Sequence, residues 1–223
     1  MSGSDIRILF LGKAADELCS RAATFLTTHA SSTVVHLGRR GDVLPRIASE
    51  AECDYIVSYL SPWIVPLSWL GRAKIAAINF HPGSPEYPGI GCTNFALYEG
   101  ATTYGVTCHH MASTVDTGPI ISVRRFPVYP DETVLSLTQR SYASIADLFY
   151  EIADRILTRA PLPQSAEGWT RRPFRRAELE ALCRLTEDMS EDEVRRRVRA
   201  TTFPGYLGVT YGSVTQAIET PSG

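Results

Sequence analysis

The sequence predicts an α/β protein: a doubly wound, mostly parallel sheet followed by a small C-terminal extension. Three observations carry that prediction. Between Arg7 and Phe80, short apolar runs alternate with stretches of helical spacing, the rhythm that builds a doubly wound sheet. The first of these runs, residues 8–11, is continuously apolar rather than alternating, which suits a strand buried on both faces. The chain has 223 residues, 44% of them hydrophobic and 21% charged, so it holds enough apolar material for a sizeable core.

In chain order, residues 7–11 read as the first strand, and Gly12 allows a tight exit. Leu18, Ala22, Phe25 and Leu26 give helical spacing over residues 15–30. Residues 33–37 form a second strand, and Asp42 is placed to cap a short helix through Ala48. Residues 54–60 and 75–80 are the third and fourth strands. A helix over residues 93–100 takes Cys92 or Thr93 as its cap. Two further strand-like runs, 103–111 and 120–128, flank a polar turn at 113–118. Residues 133–157 place Val134, Leu137, Tyr142, Ile145, Leu148, Phe149, Ile152 and Ile156 on or near one helical face, and Pro161 and Pro163 end that helix.

Residues 1–160 thus make one α/β domain, and 161–223 an extension too small for a core of its own. The extension is expected to pack on that domain or on a second subunit in a homodimer. Arg171, Arg172, Arg175 and Arg176 flank Pro173 and Phe174 within it. Ser190, with Glu193 three residues on, caps a helix bearing Arg195, Arg196, Arg197 and Arg199, and residues 203–206 close it.

The net charge of −2 gives no general attraction to nucleic acid or to an anionic membrane, so neither is an expected partner. The run at residues 8–11 is too short for a signal peptide, and no stretch of ~18 apolar residues could span a bilayer. The five cysteines are scattered, with no C-x-x-C pair. They read as reduced thiols of a cytoplasmic protein, and no disulfide framework or zinc ribbon is expected.

Asn79 and His81 lie at the carboxyl end of the fourth strand, where open α/β sheets bind ligands. Residues two apart on a strand share a face, so the pair can point into one cleft. Asp116 lies in the turn Val115-Asp116-Thr117-Gly118. An amide N–H and an imidazole can stabilise an oxyanion, and a carboxylate can orient the imidazole or accept a proton. No G-x-S-x-G elbow is present, so direct attack by an acceptor fits better than an acyl-enzyme. His81, His109, His110 and Asp116 could be brought together as metal ligands, but His109 and His110 are adjacent on a strand and face opposite ways, so no metal site is expected.

Ile78-Asn79-Phe80-His81-Pro82-Gly83, then Gly105-Val106-Thr107 with His109 and Met111, then Val115-Asp116-Thr117-Gly118-Pro119-Ile120, resembles the folate-dependent formyltransferases in order and separation. That family includes methionyl-tRNA, glycinamide ribonucleotide and sugar N-formyltransferases. The resemblance covers residues 7–157 and implies a Rossmann-like formyltransferase fold. It implies Asn79, His81 and Asp116 as the catalytic trio and N10-formyltetrahydrofolate as donor. It places the pterin cleft at residues 59–63 and 112–115, with Leu60, Trp63, Met111 and Val115 as donor-binding candidates. The loop at residues 82–91 departs from the H-x-S-L-L-P of many relatives, and in the family this loop helps form the acceptor site. Tyr87, Gly89 and Asn94 are the acceptor-binding candidates.

The ~60 residues after Pro161 are too few for the C-terminal barrel of the methionyl-tRNA enzymes, which counts against tRNA as acceptor. A nucleotide-linked aminosugar is the favoured acceptor, with arginines among residues 171–176 available to phosphate. An amino acid or a hydroxyornithine-type amine, or a non-catalytic folate- or nucleotide-binding module, are the alternatives.

Overall fold

A computed structural model describes residues 6–46, 52–203 and 208–211. The first apolar run forms β1 (Arg7–Lys13), buried from Ile8 to Gly12 as a central parallel strand requires. Its parallel neighbours are β2 (Ser32–Gly38) and β3 (Cys53–Tyr59). β4 (Ala73–His81) pairs parallel with β3. β5 (Thr103–His110) and β6 (Ile120–Pro127) then add antiparallel strands, so the order is β2-β1-β3-β4-β5-β6. The order reverses between β1 and β3, and the carboxyl ends of β3 and β4 open beside that switch point.

One face of the sheet carries α1 (Glu17–His29) and α4 (Val134–Leu157). Both helices start where a side-chain oxygen replaces the missing backbone acceptor. Asp16 accepts from Cys19 N–H at 3.0 Å, and Thr133 accepts from Ser136 N–H at 3.1 Å. Phe149 of α4 meets Phe10, Tyr59 and Phe80 of the sheet in edge or tilted contacts, with ring centroids 5.2–6.4 Å apart. The other face packs Leu9, Leu11 and Ile56 beneath Trp69 of α2 (Leu67–Leu70), a single turn.

Two local expectations change. Residues 42–46 are not helical, and 47–51 lie outside the described residues. The Asp42 carboxylate takes the Arg39 N–H at 2.7 Å instead, closing a turn. The helix α3 (Cys92–Tyr98) is entered through Gly91 at φ +72°, not capped by Cys92 or Thr93. Glycine reaches that left-handed backbone without steric cost, and neither of the other two residues does.

The extension contains α5 (Arg176–Leu182), β7 (Arg184–Leu185), α6 (Glu191–Thr201) and β8 (Thr210–Tyr211). Ser190 accepts from Glu193 N–H at 3.2 Å, the predicted cap. Of the two expected seats, contacts with the chain's own main domain are observed. Asn94 Nδ2 donates to the Ala200 carbonyl at 2.7 Å, and Tyr98 O–H donates to Glu193 at 2.8 Å. Leu182 and Ala200 join Leu97, Tyr104 and Leu137 in a second buried cluster. Arg196 and Arg197 pair with Glu193, and Arg195 pairs with Glu191 and Asp192. The expected closure at 203–206 falls, beyond Phe203, outside the described residues. The five cysteines are free thiols. Among the described residues, no helix is long and apolar enough to cross a membrane.

Candidate active site

Asn79 and His81 stand two apart on β4 and so share a face. Antiparallel pairing sets Asn79 opposite His109 and His81 opposite Thr107. Directly opposed residues lie on the same side of a sheet, so the end of this ladder brings His109 to the other two. Past the strand, the backbone is tied back onto β5. Thr107 Oγ1 donates to the Gly83 carbonyl at 2.7 Å, and Tyr104 O–H donates to the Pro82 carbonyl at 3.0 Å.

Asp116 reaches the same place from the turn after β5. Its φ of +48° is left-handed, a conformation that aspartate tolerates better than most residues. The turn passes so close to β5 that a Cβ on Gly118 would sit 1.9 Å from the His110 carbonyl oxygen. The chain folds back here and buries the Asp116 carboxylate to 5% exposure.

That carboxylate is the hub of the cluster. Oδ2 lies 3.2 Å from His81 Nδ1 and accepts the Gly89 N–H at 2.8 Å. Oδ1 lies 3.2 Å from His109 Nε2 and 3.4 Å from Asn79 Nδ2. Burial pushes the carboxyl up, but the His81 charge, the His109 hydrogen bond and charge, and the Gly89 N–H outweigh it and hold it down at about 2. Asp116 is therefore an anion throughout the neutral range, fit to orient imidazoles and to accept hydrogen bonds. His81 Nε2 donates to the Tyr87 carbonyl at 2.9 Å. His109 Nδ1 donates to the His110 carbonyl at 2.8 Å, which leaves its Nε2 facing Asp116 and, at 3.1 Å, Asn79 Nδ2.

A cavity of about 720 Å³ opens over this cluster and includes Asn79, His81, His109 and Asp116 in its wall. Leu60, Trp63, Met111 and Val115 all line it, as does Gly89. Trp63 is fixed by its indole N–H, which donates to the Asp42 carbonyl at 2.9 Å. Two candidates lie elsewhere. The Tyr87 ring is buried against Tyr104, and only its carbonyl reaches the site, through His81. Asn94 is held by Ala200 in the extension, so its amide secures α6 rather than facing the cavity.

The sequence sets His109 in the family motif and beside Asp116 only as a candidate metal ligand, and gives it no part in the catalytic trio. The signal was its spacing, because His109 and Thr107 alternate on β5 as Asn79 and His81 do on β4. Among the described residues, no group of three or more His, Cys, Asp or Glu is arranged to hold a metal ion.

Comparison with known proteins places this fold in a class. The formyl transferase family model matches residues 39–150, half of the chain. This chain belongs to the formyl transferase family. Methionyl-tRNA formyltransferase of Thermus thermophilus is 32% identical over 144 residues, 64% of this chain and 46% of the relative. The chain thus spans about half the length of the curated relatives it matches. Among solved structures, a sugar N-formyltransferase from a Shewanella species superposes with a TM-score of 0.74 at 17% identity, over 92% of each chain. An N-formyltransferase from Helicobacter canadensis, solved with folinic acid and dTDP-3-aminofucose, gives 0.69 at 18% identity, over 89% of this chain and 81% of its own. At these identities the structural likeness is one of fold.

Proposed function

We propose that this chain is an N-formyltransferase that moves a formyl group from N10-formyltetrahydrofolate to the amine of a nucleotide-linked aminosugar. The observation that carries the reading is the convergence of Asn79, His81 and His109 on the buried Asp116 carboxylate, all four in the wall of one cavity. The acceptor nitrogen attacks the formyl carbon, and a C–N bond forms as the carbonyl becomes an oxyanion. Asn79 and His81 stabilise that charge, His81 through the Nε2–H that it shares with the Tyr87 carbonyl. The acceptor's proton passes, through water held by Asp116, to N10 of the folate as its bond to carbon breaks.

The apolar side of the cavity, with Leu60, Trp63 and Met111, suits a flat pterin ring. The arginines in the cavity wall suit a diphosphate. Arg171 is paired with Glu99 and Arg172 with Glu178. Arg175 and Arg176 line the cavity, although the Glu178 carboxylate accepts the Arg175 N–H at 2.8 Å and feels its charge. A phosphate group between them would gain charge-assisted hydrogen bonds. The net charge of −2 gives no field favouring a tRNA acceptor. The N-terminal main domain supplies the chemistry, and the extension adds the arginines.

The test is a formyl-transfer assay with N10-formyltetrahydrofolate and a panel of dTDP- and UDP-linked aminosugars, free amino acids and hydroxyornithine, read by mass spectrometry of the products. A formylated nucleotide sugar is expected. Formylation of an amino acid instead would overturn the acceptor, and no product with any amine would overturn the reaction.

A further inference from the structure

Residues 164–176 form a strap whose first part passes beside the catalytic cluster and whose last residues, 172–176, line the cavity. Ser165 N–H donates to the Ile120 carbonyl at 3.1 Å, Thr170 N–H to Pro85 at 3.3 Å and Phe174 N–H to Pro88 at 2.9 Å. Trp169 lies between the first two anchors. Its half-buried indole meets the His81 ring edge-to-face, with centroids 6.0 Å apart at 68°. It meets the His109 ring at 5.1 Å and 86°. Its Nε1–H donates to the Gly118 carbonyl at 2.8 Å. One side chain therefore touches both imidazoles that flank the carboxylate, and also the turn that carries the carboxylate. Trp169 is not part of the cavity wall.

We propose that Trp169 is a positioning residue for the His81–Asp116–His109 cluster. Its kinetic consequences rest on the formyl-transfer reading, whereas its effect on the two rings does not. An imidazole has a broad, two-fold freedom about its second side-chain torsion. Asp116 engages one nitrogen of each ring, and the indole fills the space into which either ring would swing. The indole also keeps water off that side, and hydrogen bonds to a carboxylate strengthen in such a setting. Its N–H holds the turn in which Asp116 keeps its left-handed backbone. Trp169 lies behind the rings, so it acts on the chemical step rather than on binding.

The test compares Trp169→Ala, Trp169→Phe and, as a control on the same strap, Glu167→Gln. Glu167 pairs with Arg125 at 3.0 Å. The measurements are kcat and KM for both substrates, melting temperature, and NMR titration of the His81 and His109 rings in the ligand-free protein. Trp169→Ala is expected to lower kcat ~10- to 100-fold, the scale of a misplaced catalytic group, with either KM changing by less than about threefold. The ring titrations should move. Trp169→Phe keeps the aromatic wall and loses only the N–H, so it should fall between Ala and wild type. Glu167→Gln should behave as wild type. Ring titrations that stay in place in Trp169→Ala overturn the proposal, whatever the activity. So does a fall in kcat for Glu167→Gln equal to that for Trp169→Ala. If Trp169→Ala does not fold, the Phe variant carries the comparison by the same criteria. A wild-type protein that transfers no formyl group overturns the function, and the ring titrations still decide the role of Trp169.

Discussion

The end of β4 and the strap at residues 164–176 both reach His81, and they hold it by different means. β4 carries His81 as part of its own backbone, between two paired strands, with Ile78 and Phe80 buried to 1% exposure or less. The strap touches the ring from outside. Its fixings are single backbone bonds, one bridge between Gly89 and Phe174, the Trp169 N–H to Gly118, the stack of Phe174 on Phe95, and ion pairs whose side chains are about one-third exposed. A strand inside a ladder moves only with the sheet. Exposed ion pairs contribute ~0–1 kcal/mol each. Of the groups proposed to do chemistry, Asn79 and His81 thus belong to the rigid part, and Asp116 is tied to it from its turn by contacts with both. The part bearing the proposed acceptor contacts can change sequence at little cost to folding.

The sharpest way to break this comparison is to delete groups of the rigid part. Asn79→Ala, His81→Ala and Asp116→Asn should each lower kcat ~10²–10³-fold, the usual loss for one oxyanion donor or its support. Steady-state kinetics check this, and full kcat in His81→Ala would refute the mechanism. Asp116 also predicts a pH signature. Its folded value is depressed to about 2, against ~3.9 for an unfolded aspartate. Its stabilising contribution is therefore complete above the unfolded value and disappears as pH falls through the folded one. Wild-type melting temperature should drop between about pH 4 and pH 2, and Asp116→Asn should lose that part of the drop.

A smaller effect tests the seam between the two parts. Gly89 has φ +87°, and a Cβ there would lie 2.4 Å from the Phe174 carbonyl oxygen and 2.7 Å from its nitrogen. Neither is a flexible side-chain end, so Gly89→Ala must displace the strap or the loop. It should cost ~1–3 kcal/mol in stability and also lower kcat, because the Gly89 N–H holds Asp116. Gly71→Ala, whose Cβ meets nothing within 4 Å, is the neutral control. Equal melting temperatures for the two variants would remove the seam from the account.

What the sequence reveals follows the same division. The strands of the parallel half are contiguous apolar runs, and Asn79 and His81 follow from a period of two along one of them. Those signals are local. Gly89 with Phe174, Asn94 with Ala200, and Trp169 with His81 are contacts between distant parts of the chain, and no local period encodes them. Arg171, Arg172, Arg175 and Arg176 read as one cationic run, yet the fold pairs the first two with glutamates and sets the last three in the cavity wall. Tyr87 reads from the sequence as an acceptor-binding candidate in the loop. It is buried because the loop closes over it and Arg171 stacks on its outer side, 5.5 Å from the ring centroid.

The proposed diphosphate contacts sharpen the comparison at an intermediate scale. Arg175→Ala and Arg176→Ala should each raise KM for a nucleotide sugar ~10-fold, equivalent to ~1.4 kcal/mol, with kcat and melting temperature held. The KM for the folate donor should stay constant. A parallel rise in donor KM would place these arginines on the folate instead.

The smallest expected effect concerns the ion pair at the strap's outer edge. Arg171 donates to both Glu99 oxygens, at 2.6 and 3.0 Å, and lies over the Phe174 ring at 5.1 Å. Both partners are about one-third exposed, so water and salt screen the pair. Phe174 has a second, stronger hold, since it stacks on Phe95 with centroids 3.8 Å apart at 7°. Its backbone is also bound to Pro88 and Ile90. Glu99→Gln should therefore cost no more than ~1 kcal/mol, and high salt should reduce the difference from wild type. Formyl transfer should be unchanged, because the strap keeps its seat through the stacked rings. Denaturant melts at low and high salt, with kinetics beside them, decide the matter. A loss above about 2 kcal/mol, or a tenfold fall in kcat, would mean that the ion pair seats the strap. The division between a rigid scaffold and an adjustable strap would then have to be redrawn at Glu99.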